Sequence, residues 1–331
     1  MQADWNRMIF KADWEAAGQA VVLPNAVIDA MVSEALPDRK RYRWERLGGG
    51  CANCSILIRC EHEPVYVLRI YLRDQDAAFR EQQLASRLAP QLPVPQSRFV
   101  GVQSGYRFAL IDYCRGISLR EVLLGNEKQH GDSLLYQAGV LLGQIQTHRF
   151  NSAGFFDREL HIVKPENPTL AAFVDRQLTH PTASAQLSTA QRQRIATCFS
   201  RFAACLPNES PAHLVHGDYD PANLLVDKSD GAWRITAVLD WEFAFAGSPL
   251  WDVANMLRYA HAMPASWASS FVDGLQATCL LPNQWQVTVH LLNLASLLDC
   301  LCRTEPARQP RRLQDILTLM NTIISQLSLE A

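Results

Sequence analysis

The chain has 331 residues, 48% of them hydrophobic, and a formal charge of -2 at neutral pH. That balance gives no general attraction to nucleic acid or acidic lipid, and the longest apolar runs fall short of the ~20 residues a membrane span needs. Asp4, Arg7, Lys11, Asp13 and Glu15 interrupt the N-terminal hydrophobics, which excludes a signal-peptide core. The expectation is a soluble, cytoplasmic protein with material for one large domain or two lobes. Nine cysteines include the spacings Cys51-x-x-Cys54 and Cys300-x-Cys302. A structural zinc site usually needs two such pairs at defined separations, so reduced cysteines without a metal role are the better reading.

In chain order, residues 1–38 read as a helical lead-in, with Pro24 opening a helix whose apolar face carries Ala26, Val27, Ala30, Met31 and Ala35. The basic run Arg39–Arg43 is flanked by Asp38 and Glu45 and reads as solvated surface. Leu47-Gly48-Gly49-Gly50-Cys51-Ala52-Asn53-Cys54-Ser55 then precedes a β-type run from Ile56 to Cys60, and a second run spans Val65 to Tyr71. A glycine-rich turn between strands lets backbone N–H groups approach phosphate closely, although Gly-Gly-Gly is also an ordinary loop. It is not a P-loop, which needs Gly-Lys-Ser/Thr opening a helix.

Arg69 stands inside the second strand pattern. It either alternates outward to water or serves as a fixed cation for phosphates, in which case Glu81 on the helical segment Ala77–Leu88 is its candidate partner. Pro93-Val94-Pro95 precedes the apolar runs Phe99–Val102 and Phe108–Ile111, and a hinge is expected at Asp112–Gly116. Leu134 to Ile145 is a helical stripe. Beyond residue 150 the only clear β pattern is the hairpin after Asn223. The chain ends on a helical stripe of Leu313, Leu317, Met320, Ile324 and Leu327.

The stretch from Leu214 to Ala254 carries the chemistry. His216-Gly217-Asp218 is followed by Asn223, a β-run, the turn Ser229-Asp230-Gly231, a second β-run and Asp240-Trp241-Glu242. A carboxylate at Asp218 can orient a hydroxyl or accept its proton. The Asn223 amide oxygen and the Asp240 carboxylate are hard ligands suited to Mg²⁺, and an antiparallel hairpin returns them side by side. Taken singly, Asp and Asn in loops more commonly cap turns.

The whole spacing, from His216-Gly217-Asp218 with Asn223, through Asp240-Trp241-Glu242, to Gly247-Ser248-Pro249-x-x-Asp252, closely resembles the aminoglycoside phosphotransferase family. That family includes choline/ethanolamine-kinase-like and homoserine-kinase-like enzymes. The resemblance implies an α+β, two-lobed protein-kinase-like fold: a nucleotide-binding β-sheet lobe over 39–113 and a helical lobe over 114–331 holding the catalytic loop and substrate site. It implies Asp218 as catalytic aspartate, Asn223 and Asp240 as magnesium ligands, and His216 and Asp252 as structural supports of the loop. It further implies nucleotide contacts from Gly48, Gly49, Gly50, Asn53, Ser55, Arg69, Glu81, Ile111 and Tyr113. Arg69 departs from the lysine most kinases carry; arginine pairs phosphate bidentately where lysine acts as a point charge.

The implied activity is transfer of the γ-phosphoryl group of ATP, with Mg²⁺, to a hydroxyl of a small acceptor, whether antibiotic or metabolite, without nucleic-acid or membrane partners. Acids and arginines after Asp240 are nearly balanced, so no acidic funnel for a polycation is evident. Glu242 and Asp299 are the acids to test as substrate contacts. The rival reading is a nucleotide-binding pseudokinase or regulatory protein, prompted by Arg69; retention of Asp218, Asn223 and Asp240 together argues against it. A protein kinase is weaker still, because the His-Arg-Asp, Asp-Phe-Gly and Ala-Pro-Glu signatures are missing.

Overall fold

A computed structural model describes residues 9–15, 23–38, 41–47, 53–61, 65–164, 169–207 and 210–329. In the first third, helix α1 (Asn25–Ala35) precedes β1 (Tyr42–Arg46), β2 (Cys54–Cys60) and β3 (Val65–Tyr71). Helix α2 (Ala77–Leu88), β4 (Ser97–Gln103) and β5 (Tyr106–Asp112) follow. The five strands form one antiparallel sheet in the order β1-β2-β3-β5-β4. Alternation sorts its side chains: Ile56, Ile58, Leu68, Ile70, Phe108 and Leu110 bury against α1, whereas Tyr71 and Ala109 meet the start of α2. Arg69 pairs in register with Ser55 and Ala109, so it shares the α2 face and does not alternate out to water.

One expectation is revised here. The apolar face of α1 is Ile28, Met31 and Val32, while Ala26 is exposed; the larger branched residues remove more apolar area from water than the alanines. The basic run keeps the solvated character expected of it where it is described: Arg41 and Arg43 are exposed, at the start of the edge strand β1; Arg39 and Lys40 lie outside the described residues.

From residue 117 the chain is mainly helical. Strand β6 (Ile117–Ser118) leads directly into α3 (Leu119–Leu124), where Ser118 and Glu121 form a reciprocal capping box. Next come α4 (Gly131–Ile145), β7 (Arg149–Phe150), β8 (Gly154–Phe156), β9 (Ile162–Val163), α5 (Leu170–Thr179), α6 (Pro181–Gln186) and α7 (Thr189–Arg201). Strands β10 (Ala212–Val215), β11 (Leu224–Ser229), β12 (Ala232–Val238) and β13 (Phe245–Gly247) precede α8 (Leu250–Leu257), α9 (Ala265–Gln276), α10 (Trp285–Cys302) and α11 (Pro310–Leu329).

The expected hairpin is β11–β12, turned at Asp230 (φ 51) and Gly231 (φ 79), the left-handed pair that suits a tight hairpin turn. Strand β6 extends it into a three-stranded sheet. The expectation of little further β structure is corrected: β7-β10-β13-β8-β9 form a second five-stranded sheet. Its strands are only two to four residues long, too short to show a period of two.

Helices α4 and α9 cross at glycine: a Cβ on Gly139 would lie 2.1 Å from the Phe271 carbonyl oxygen, and one on Gly274 2.0 Å from that of Tyr136. Helix α10 is long and apolar enough to cross a membrane, with a mean hydropathy of 1.2 over 18 residues. It is a core helix here, burying Leu291, Leu292, Leu294, Leu297, Leu298 and Leu301. The final stripe of α11 is centred on Ile316, Leu319, Met320, Ile323, Ile324 and Leu327; Leu313 and Leu317 lie at its margin.

Candidate active site

The loop after β10 is built around a buried carboxylate. Asp252, fully buried in the first turn of α8, accepts hydrogen bonds from the backbone N–H of His216 (2.7 Å) and of Gly217 (2.9 Å). Burial raises its pKa to about 6, against the opposing pull of His216 and the two N–H donors. The His216 ring is also fully buried, 4.6 Å from the Trp241 ring. Its Nε2 donates to the Leu239 carbonyl at 2.8 Å and its Nδ1 accepts from the Asp218 N–H at 3.2 Å. Both ring nitrogens are thus spent on the backbone, which makes the histidine a brace between this loop and the hairpin.

Gly217 has φ +83, and an added Cβ would fall 2.4 Å from the Phe243 carbonyl oxygen. Gly217→Ala is therefore expected to destabilise the protein by about 1–3 kcal/mol, read as a lowered urea midpoint; an unchanged midpoint would contradict this geometry.

Asn223 Nδ2 donates to the Asp218 carbonyl (2.8 Å) and to Asp218 Oδ2 (3.0 Å). The Asn223 carbonyl accepts from Leu239 N–H at 2.8 Å, so the hairpin delivers Asp240 next to Asn223. Asp240 has a left-handed backbone (φ 67, ψ 62), a conformation uncommon outside glycine that recurs at functional positions.

Across the cleft, Arg69 Nη2 lies 2.5 Å from Asp240 Oδ1, 3.6 Å from Glu81 Oε1 and 3.7 Å from Glu242 Oε1. Glu81 points inward because it shares the buried stripe of α2 with Leu84, Ala85 and Leu88. Tyr71 donates its hydroxyl to Glu81 Oε2, and its ring stands 5.4 Å from the Arg69 guanidinium. Three carboxylates thus share one guanidinium. Burial first, then Asp240, pushes Glu242 up to about 7, and burial also raises Glu81 despite Arg69. Glu81 Oε1 and Glu242 Oε1 are buried without a hydrogen-bond partner.

Surplus negative charge and hard oxygen donors around Asp240 and Asn223 fit a divalent cation of the magnesium type. Among the described residues no group of three or more His, Cys, Asp or Glu side chains could hold a metal by itself.

A sequence model of the phosphotransferase enzyme family matches residues 43–286, most of the chain. The chain belongs to that family. Among solved structures, aminoglycoside phosphotransferase APH(4)-Ia aligns with a TM-score of 0.71 at 16% identity, covering 91% of this chain and 99% of that one. The GDP complex of wild-type aminoglycoside 2'-phosphotransferase-IIIa aligns at 0.71 and 17% identity, covering 92% and 99%. A thermostable APH(4)-Ia mutant in ternary complex with AMP-PNP and hygromycin B aligns at 0.67 and 18%, covering 89% and 98%. At such identities the likeness establishes a shared protein-kinase-like fold. A search of curated proteins finds no match to this chain.

In this phosphotransferase-family protein the remaining expected residues fall as follows. Gly48, Gly49 and Gly50 lie outside the described residues. Asn53 donates to Glu242 Oε2 at 2.8 Å and accepts from Leu72 N–H at 3.3 Å. Ser55 pairs with Arg69, Ile111 pairs with Val67, and Tyr113 N–H donates to Val65 O at the end of the sheet. Glu242, expected as a substrate contact, is buried against Arg69 and Asn53, placed there by the single turn Trp241–Phe243. Asp299 is half-buried, pairing with Arg303 and accepting from Gln177 Nε2.

Sequence reasoning missed Tyr71, Asp220 and Lys11. Lys11 Nζ lies 2.6 Å from Asp218 Oδ1 and 2.5 Å from Asp220 Oδ2. Burial would raise the Asp218 carboxyl, but the Lys11 ammonium, joined by Arg258 and His216, holds the group below its ordinary value. Asp220 could have been found from its place two residues after Asp218. Nothing local marks Lys11, which is 207 positions away.

Proposed function

We propose that this protein is an ATP- and Mg²⁺-dependent small-molecule kinase of the cytoplasm that transfers the γ-phosphoryl group to an acceptor hydroxyl. The observation that carries this reading is the convergence of Asp218, Asn223 and Asp240 at one place, opposite an arginine braced from the sheet. In this reading residues 39–113 bind nucleotide and 114–331 carry the catalytic loop and acceptor site.

Asp218 orients the acceptor hydroxyl and takes its proton as the oxygen bonds to the γ-phosphorus. Asn223 and Asp240 hold the metal, which when bound neutralises triphosphate charge. Arg69, aimed by Glu81 and Tyr71, turns from Asp240 to the phosphates as nucleotide enters. Asn53, Ser55, Ile111 and Tyr113 line the nucleotide side, and Glu242 belongs with Arg69 there. Asp299 remains the acceptor-side acid to test. The relatives bind nucleotides and aminoglycosides in the structures named above, which supports a small hydroxylated acceptor; the near balance of charge after Asp240 keeps metabolites beside antibiotics.

The test is a screen of aminoglycosides and hydroxylated metabolites for stimulated ADP release by the purified protein. At least one class is expected to raise turnover above basal hydrolysis, and chelation of divalent metal by EDTA to abolish it. MgATP binding without ADP release under any acceptor would favour the pseudokinase instead.

A further inference from the structure

Residues 9–15 form a strap across the catalytic loop, held at several independent points. Phe10 is buried edge-on to Tyr259, with ring centroids 5.6 Å apart, and its carbonyl accepts from Arg120 Nη1 at 3.1 Å. Trp14 Nε1 donates to Asp315 Oδ2 at 2.7 Å, the same oxygen that accepts from Tyr259 Oη at 2.6 Å. The Arg312 guanidinium lies 4.8 Å from the centroid of the Trp14 ring. Glu15 then caps α11, its carboxylate accepting from the N–H groups of Arg311 (3.0 Å) and Arg312 (3.1 Å).

Between these anchors Phe10 and Lys11 both take left-handed backbone conformations, φ 56 and φ 58. Strain of that kind persists only where surrounding contacts over-determine it. The fold thus delivers one ammonium, 17% exposed, onto Asp218 and Asp220. Asp218 is gripped on both oxygens: Lys11 holds Oδ1 and Asn223 Nδ2 holds Oδ2.

We propose that Lys11 is a positioning residue for phosphoryl transfer: it fixes the orientation of the Asp218 carboxylate and places a permanent positive charge beside the acceptor oxygen. The inference rests on the kinase reading above. In the step itself the acceptor oxygen forms a bond to the γ-phosphorus. The bond from that phosphorus to the β,γ-bridging oxygen breaks, its electron pair leaves with ADP, and the hydroxyl proton passes to Asp218. The phosphoryl oxygens remain negatively charged throughout, and a fixed cation at this point stabilises them without reorganisation.

The experiment uses the full chain, with Lys11→Met, Lys11→Gln and Lys11→Arg. Lys11→Gln retains a hydrogen-bond donor, which keeps a neutral variant available if the methionine one does not fold; circular dichroism checks each. Calorimetry measures binding of MgADP and of MgADP with aluminium fluoride, a mimic of the transferring phosphoryl group. Basal ADP release from MgATP is followed in parallel.

The neutral variants are expected to bind MgADP within about twofold of wild type but to lose on the order of 10- to 100-fold in fluoroaluminate affinity and in basal kcat. Lys11→Arg is expected to recover most of that loss, which a merely structural lysine would not require. Equal fluoroaluminate affinity in wild type and Lys11→Gln overturns the inference while leaving the kinase reading standing. Faster ADP release in the neutral variants also overturns it, because the strap would then be an inhibitory plug. Wild-type protein that fails to bind MgADP overturns the kinase reading and this inference together.

Discussion

Asp218→Ala is expected to lower acceptor-stimulated ADP release by about 10²- to 10⁴-fold while MgADP affinity changes by no more than about twofold. The asymmetry follows from where the side chain points. Its oxygens contact Lys11 and Asn223, whereas Arg69 pairs with Asp240, Glu81 and Glu242. Removing the carboxylate takes away the group that orients the hydroxyl and receives its proton, but leaves the proposed phosphate and metal contacts in place. It also releases Lys11 onto Asp220 alone, so the folded state should survive. Steady-state kinetics on the best acceptor from the screen, with isothermal titration of MgADP, makes the measurement. Turnover within tenfold of wild type would remove Asp218 from the catalytic role.

The second large effect is structural. Asp252→Ala deletes the side chain that receives the His216 and Gly217 N–H groups, removing the partner of one buried and one part-buried donor. The expected cost is about 2–5 kcal/mol, with loss of turnover because Asp218 follows directly in the loop. Asp252→Asn keeps one acceptor oxygen and separates packing from charge.

The charge has a signature in pH. The folded-state pKa is raised, from an ordinary 3.8 to about 6, so between those values the folded protein holds more protons than the unfolded chain. Stability contributed by this group therefore rises as pH falls through 6 and is lost again above it. Between pH 7 and pH 5 wild type should gain about 1 kcal/mol relative to Asp252→Asn, read from urea unfolding of both proteins at each pH. A gap that is flat with pH would show that the carboxyl does not titrate in this range.

Much of the architecture was legible because it rests on short-range patterns. Strand β3 and helix α2 have the expected bounds, the hairpin turns at Asp230-Gly231, and Arg69 stands near Glu81. The second sheet was not legible, since strands of two to four residues are stabilised by their neighbours and carry no period of their own. The face of α1 was misread because both Ala26 and Ile28 are apolar, and only the sheet beneath decides which of them turns inward.

The same division runs through the candidate site. The spacing from His216 to Asp252 determined by itself that a carboxylate, a carboxamide and a second carboxylate would gather, because a tight hairpin leaves the chain no other way to return. Tertiary structure alone decided which cations face them. Arg69 reaches Asp240 at 2.5 Å from a strand 171 positions away, and Lys11 reaches Asp218 from 207 positions away. Contacts of that range depend on how sheet, helices and strap pack together, and packing depends on the summed shape of many side chains that no local motif records.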